Sequence, residues 1–282
     1  MIVVERKTKK EYKCEESKIL KFLYNNFIGR VILKLLINKL VANVVAAFMN
    51  SSLSNFMKNR KIKKYNIDMT LFEDKKYNSY NAFFTRKFKV INKNVDKKYF
   101  ISPCESKLMI LDVKKDTEFK VKGSTYSLNS IINDKISKEY VGGYALIFRL
   151  DVNNYHRYCY IDNGKRTKYK HIEGLLHTVQ PLVYDKVKVF HQNSREWCVL
   201  KTENFGEVIQ VEVGALNVGK INNHKEKTFS KLDEKGYFEF GGSTVILFVK
   251  KDQVIFDEDI LINSKNGKET MVNYGEIIGK KQ

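Results

Sequence analysis

Two hydrophobic rhythms divide the chain. From residue 19 to about residue 49, apolar residues return at near four-residue spacing: Leu20, Leu23 and Tyr24, Phe27 and Ile28, Val31 and Ile32, Leu35 and Leu36. Lys21, Asn25, Arg30, Lys34 and Asn38 take the other side. That is the period of an amphipathic stretch, predicted as two helices broken near Gly29 or Asn38. Residues 77–89, YNSYNAFFTRKFK, predict a packed helix that buries Phe83, Phe84 and Phe88 and exposes Arg86, Lys87 and Lys89. After about Phe100 the rhythm shortens. Runs rich in Val, Ile, Tyr and Phe alternate with Gly, Asn, Asp and Lys turns. They predict strands near 106–113, 118–123, 143–150, 155–161, 167–173, 186–190, 197–204, 208–215, 236–240, 244–250 and 253–256, and one helix near 127–133. Residues 1–18 are charged and read as a short strand or a loose arm. The expected fold class is α+β: an N-terminal amphipathic helical region, residues 1–100, followed by a mainly antiparallel β domain, residues 101–282.

Charge sharpens this division. Of the formal net charge of +19, +15 lies in residues 1–100 and only +4 in the remainder. Ten basic residues and no acidic one fall between Glu16 and Asp68. Such a field attracts polyanions, either nucleic acid or an anionic membrane surface. Arg30, Lys34 and Lys39 interrupt the apolar run, and each would cost roughly 2.5–3.5 kcal/mol at a bilayer centre. A basic amphipathic helix lying in the interface is therefore expected rather than a span. The competing reading is a helix packed on the second domain with its cations solvated. Mixed aromatics and cations over 77–89 also occur in nucleic-acid binders; the packed helix is preferred, and no nucleic-acid partner is expected. Cys14, Cys104, Cys159 and Cys198 are widely spaced without a C-x-x-C pair, so thiols in a reducing cytosol are expected and a metal site is not.

One stretch carries a distinct chemical possibility. In KGYFEFGGSTVILF two strand-like runs meet at Gly241-Gly242-Ser243-Thr244. Glycines permit a strained or closely approached backbone, and the serine hydroxyl that follows is within reach of the preceding carbonyl. That is the local requirement for an N→O acyl shift at Gly242-Ser243. The ester can lose the Ser243 α-proton, break the chain and leave a pyruvoyl ketone, a cofactor made from the chain itself. By spacing alone, a glycine pair in a strand is more often a β-bulge or a bend than a cleavage site.

Seven other motifs precede this one in order: FFTRK, Ser102-Pro103-Cys104-Glu105, Tyr155-His156-Arg157, HTVQP from His177, Asn193-Ser194-Arg195-Glu196, TENFG from Thr202, and VGALNVG from Val213. With KGYFEFGGST they resemble the phosphatidylserine decarboxylase family, pyruvoyl-dependent enzymes of the bacterial type, from roughly residue 77 to the C-terminus. The resemblance implies cleavage between Gly242 and Ser243, with Ser243 becoming the pyruvoyl group. Residues 1–242 and the forty residues 243–282 would then form a heterodimer of the chain's own products. The pyruvoyl would take the amine of phosphatidylserine as an imine, lose CO₂ and release phosphatidylethanolamine, without metal. The expected location is peripheral, on the cytoplasmic side of the cell membrane; homodimerisation is left open.

The chain departs from the family's Asp-His-Ser relay at two positions. Glu105 stands where the family has aspartate, and Cys159 where it has the relay histidine. His156 survives from the family's decarboxylation step. Glutamate keeps the carboxylate one methylene further out. A thiol acts as a base only when ionised. His156, then His177, then Cys159 is the expected order of candidates for the base. Arg157 and Arg195 are candidates to grip the substrate's phosphate or carboxylate, against the alternative of structural ion pairs with Glu196 or Glu203. The alternative function is a non-processing, catalytically impaired relative that binds anionic lipid.

Overall fold

The apolar run that begins at Ser243 becomes the middle of a sheet. The computed structural model describes residues 1–121, 123–216, 220–240 and 243–282. Its strands begin with β1 (Ile2–Glu5), β2 (Glu11–Lys13), β3 (Tyr99–Ile101), β4 (Ser106–Asp112), β5 (Glu118–Val121) and β6 (Ser124–Ser127). Then come β7 (Tyr144–Leu150), β8 (Arg157–Cys159), β9 (Gly164–Ile172), β10 (Arg195–Thr202), β11 (Glu207–Val213) and β12 (Ile221–Asn223). The last are β13 (Thr228–Phe229), β14 (Glu234–Phe238), β15 (Ser243–Val249), β16 (Val254–Phe256), β17 (Lys268–Val272) and β18 (Ile277–Lys281). The helices are α1 (Lys18–Asn25), α2 (Phe27–Leu36), α3 (Lys39–Asn50), α4 (Phe56–Tyr65), α5 (Tyr80–Phe84), α6 (Leu128–Ile132), α7 (Val189–Gln192) and α8 (Glu258–Lys265).

A ten-stranded sheet runs β13-β9-β10-β11-β15-β7-β4-β17-β1-β2, antiparallel except where β1 lies parallel to β17. The fold is thus α+β, helices first and antiparallel sheet after. β15 lies between β11 and β7 and is covered on both faces, which is why it reads as an unbroken apolar run. Val245, Leu247 and Val249 pack on one face, beneath the small sheets β12-β14-β8 and β16-β18-β3. Ile246 and Phe248 pack on the other, against the β5-β6 hairpin, α6, α7 and the inner side of α1 and α2. A third cluster joins Met49 of α3 to Tyr77, Tyr80, Phe83 and Phe84, with Phe240 against it.

The helical stretch divides into three helices, not two. Asn26 breaks it and caps α2 by accepting from Ile28 N at 2.9 Å, displacing the break expected near Gly29; the break at Asn38 is found, with Asn38 accepting from Leu40 N at 2.9 Å. The charged first residues belong to the sheet as β1 and β2. The strand expected over 186–190 is instead a turn entering α7, because Val189, His191 and Asn193 fold back on Val187, Lys188 and Val189. α8 has no clear apolar stripe, so the periodicity of the sequence does not reveal it. Arg86, expected to be exposed, is buried. Its guanidinium lies 4.6 Å from the Phe72 ring and 5.0 Å from the Phe83 ring, and it donates to the Asn153 carbonyl at 3.3 Å.

Candidate active site

Ser243 opens β15, opposite Leu150 of β7. It is fully buried, and its Oγ has no hydrogen-bond partner among the described residues. A buried hydroxyl is costly where no partner satisfies it. Gly242, the other half of the expected scissile pair, lies outside the described residues, as does Gly219.

His156 reaches this end of the sheet through the turn that follows β7. Its main-chain carbonyl accepts from Phe238 N at 3.0 Å, five residues before Ser243. Its ring lies 3.9 Å from that of Phe84, which in turn meets the Phe240 ring at 5.5 Å. His156 Nδ1 lies 2.9 Å from the Asn154 carbonyl. A carbonyl only accepts, so Nδ1 carries the hydrogen and Nε2 is the basic nitrogen of the neutral ring. Glu105 holds the same turn: its carboxylate accepts from Asn154 Nδ2 at 2.7 Å and from Tyr155 N at 3.2 Å. Glu105 therefore acts on His156 through the backbone between them.

His177 is tied through Asn193 to the end of β11, the strand beside β15. Asn193, fully buried, accepts from His177 N at 3.0 Å and donates to the carbonyls of His177 and Gly214, both at 2.7 Å. Gly214 follows the Val213–Thr244 pair and so stands across from Ser243. A Cβ on Gly214 would sit 3.3 Å from the Ser194 carbonyl and 3.4 Å from Leu176, a tight approach that favours glycine. The His177 ring contacts Tyr24 of α1, Nδ1 to Oη, at 3.1 Å, and Tyr24 Oη also accepts from Thr178 N at 3.1 Å. Tyr24 Oη can donate to Nδ1 or accept from it, and in either case the contact holds the ring through Nδ1. Burial lowers the His177 pKa and keeps the ring neutral. Nδ1 is thus engaged in both histidines, with the Asn154 carbonyl at His156 and with Tyr24 at His177.

Cys159 is fully buried in β8, and burial pushes its thiol up to about 12, opposed by a hydrogen bond from Tyr274. It stays protonated near neutral pH, which makes it a core residue rather than a base. The arginines are similarly committed. Arg157 donates through Nε and Nη2 to the Thr85 carbonyl at 3.0 and 2.7 Å and through Nε to that of Arg86 at 3.1 Å; Nη1 pairs with Glu234 at 2.7 Å. The ion pair is with Glu234, not Glu196 or Glu203. Arg195 donates to the carbonyls of Ile131 at 2.7 Å, His191 at 2.8 Å, Asn193 at 2.9 Å and Ser130 at 3.2 Å. Burial lowers its pKa to about 10. Both clasp backbone: Arg157 fixes the FFTRK turn that carries Phe84, and Arg195 fixes the segment ending in Asn193. The roles of Asn154, Asn193 and Tyr24 were not evident in the sequence, because each depends on a partner distant in the chain or on main-chain atoms.

The family model for phosphatidylserine decarboxylase matches residues 80–280. The chain is 47% identical to phosphatidylserine decarboxylase proenzyme 2 of Clostridium acetobutylicum over 275 residues, covering 96% of this chain and 94% of that one. It is 40% identical to the phosphatidylserine decarboxylase proenzyme of Clostridium tetani, covering 98% and 97%, and 39% identical to that of Clostridium botulinum strain Eklund 17B, covering 100% and 99%. The chain belongs to the phosphatidylserine decarboxylase family and is a carboxy-lyase.

Proposed function

We propose that the chain is a self-cleaving decarboxylase of phosphatidylserine whose reactive ketone is made from Ser243. The observation that carries this reading is the Ser243 hydroxyl, buried at the head of a central strand with no partner among the described residues. That orphaned group suits a precursor side chain. His156 Nε2 takes the Ser243 hydrogen, and Oγ attacks the Gly242 carbonyl carbon, moving the acyl group from nitrogen to oxygen. Loss of the Ser243 α-hydrogen then expels Gly242 as a carboxylate. Addition of water and departure of ammonia complete the pyruvoyl group. Once formed, this group supplies an electron sink for the α-carbon of an amine. His156, oriented by Asn154 and Phe84, moves the proton at Nε2, and His177 serves an anionic group of the substrate.

The N-terminal helices suit an anionic bilayer surface where such a substrate resides. Leu40 is 75% exposed, Phe27 74%, Leu53 74% and Leu35 64%, on a segment rich in cations. No single helix among the described residues is long and apolar enough to cross a membrane. The reading places the protein peripherally on the cytoplasmic face of the cell membrane, as a heterodimer of its two products. Intact-mass measurement tests it: two chains are expected, the forty-residue one bearing a blocked, ketone-containing N-terminus. A single full-length species, unable to release CO₂ from phosphatidylserine vesicles, would identify a non-processing relative instead.

A further inference from the structure

α1 faces two ways. Its outer side carries Ile19 and Phe22, both exposed, and its inner side buries Leu23 and Tyr24. The Tyr24 hydroxyl makes two contacts, both in the His177 segment. It accepts from Thr178 N at 3.1 Å and lies 3.1 Å from His177 Nδ1. The two rings are 5.9 Å apart between centroids and tilted by 54°. One phenol therefore holds the His177 ring and the main chain beside it. Asn193 ties the same segment to the sheet, donating to the carbonyls of His177 and Gly214, both at 2.7 Å. Gly214 follows Val213, the partner of Thr244, and so stands at the register position opposite Ser243.

The two directions open to the Tyr24–His177 contact differ in cost. Oη already accepts from Thr178 N and has one hydrogen of its own to place. With a hydrogen on Nδ1, Oη would accept twice. Its own hydrogen would then find no acceptor among the described residues, at a buried position. With a bare Nδ1, the phenol hydrogen goes to it and both atoms of the contact are satisfied. Burial keeps the ring neutral, so its single hydrogen then sits on Nε2.

We propose that Tyr24 is a positioning residue for decarboxylation: by giving its hydrogen to Nδ1, it fixes the His177 ring with N–H at Nε2, the atom that meets the substrate's anionic group. The inference rests on the reading of His177 given above. It also makes α1, whose outer side suits a lipid surface, part of the support of the site.

Two measurements on the full chain test this. The first reads the tautomer in a Ser243→Ala background, where the chain stays single. Ring-¹⁵N spectra of labelled histidine are recorded, and the His177 signals are those lost in His177→Gln. We expect the hydrogen on Nε2 and a bare Nδ1. A hydrogen on Nδ1 overturns the inference, whether or not the wild-type chain cleaves. The second follows CO₂ release from phosphatidylserine vesicles. Tyr24→Phe keeps the ring and removes the hydroxyl. It should be fully cleaved by intact mass yet show a kcat about tenfold lower, because Thr178 N–H and Nδ1 lose their shared partner and the ring shifts. Tyr24 acts through His177, so adding Tyr24→Phe to His177→Gln should cost less than about twofold more. Wild-type kcat in Tyr24→Phe, or a further tenfold loss in the double variant, overturns the inference. If Tyr24→Phe does not fold, the tautomer alone decides. A wild-type chain that stays whole ends the Ser243 reading, and the tautomer still decides the role of Tyr24.

Discussion

Replacing Asn193 by alanine removes three hydrogen bonds, all buried, that tie the His177 segment to the strand end facing Ser243. The His177 carbonyl keeps a second donor, Leu216 N at 3.2 Å. The two other groups, His177 N–H and the Gly214 carbonyl, lose the bonds that Asn193 supplied. At roughly 1.5 kcal/mol for each of these and about 1 for the shared carbonyl, the expected loss is about 4 kcal/mol. The corresponding fall in melting temperature is roughly 10 °C. Urea unfolding should be measured in a Ser243→Ala background, where the chain remains single and unfolding is unimolecular. Asn193→Asp supplies a check. It keeps the acceptor for His177 N but sets a carboxylate against two carbonyl oxygens, so its folded-state pKa rises. The variant should be least stable at neutral pH and recover as the pH falls through that raised pKa. A loss below about 1 kcal/mol for Asn193→Ala would refute the assignment of this side chain as the staple.

Further outcomes follow from the site. Ser243→Ala should leave one chain and no decarboxylation, read by intact mass and CO₂ release. His156→Ala should slow cleavage by about 10²-fold or more, whereas Cys159→Ser should remain within a few-fold; equal losses would make the thiol part of the machinery. Cys159→His should destabilise by about 1–3 kcal/mol through overpacking rather than speed cleavage, because the site is closed on every side. His191 is lowered to about 4, by burial first and then by Arg195. Its folded pKa lies below the unfolded value, so this contribution is full above about pH 6.5 and is lost as pH falls towards 4. After discounting for partial exposure it amounts to about 2 kcal/mol. His191→Gln should flatten that part of the stability curve in acid titrations followed by circular dichroism.

What the sequence revealed depended on whether the physics was local. β15 was legible because a strand buried on both faces must be apolar at every position. The helix 128–132 and most of the antiparallel strands were legible from their periodicity. Ser243 stood out because its glycine neighbours are local too. The break at Asn26 was missed because capping outweighed the more obvious glycine three residues later. The 186–190 segment misled because Val187 and Val189 favour strands, whereas Arg195 and the α7 turn impose another conformation from outside. Arg86 looks solvated in the sequence because nothing nearby announces the Phe72 and Phe83 rings that cover it. Tyr24 and His177 are far apart in sequence and meet only in the fold, and no periodicity encodes that. The partner of Arg157 is hidden for the same reason: its choice of Glu234 follows from the pairing of β14 with β8.

The residues after position 242 are not an appendage. β15 is sewn between β11 and β7, β17 between β4 and β1, and β18 between β16 and β3, while Arg6 of the opening segment grasps Asp257, Asp259 and Glu276 at 2.6–2.9 Å. A nick before Ser243 therefore leaves a molecule that migrates as one particle in gel filtration and parts only in denaturant. Its fragments can separate no faster than the whole sheet melts, and reuniting them demands refolding rather than simple docking.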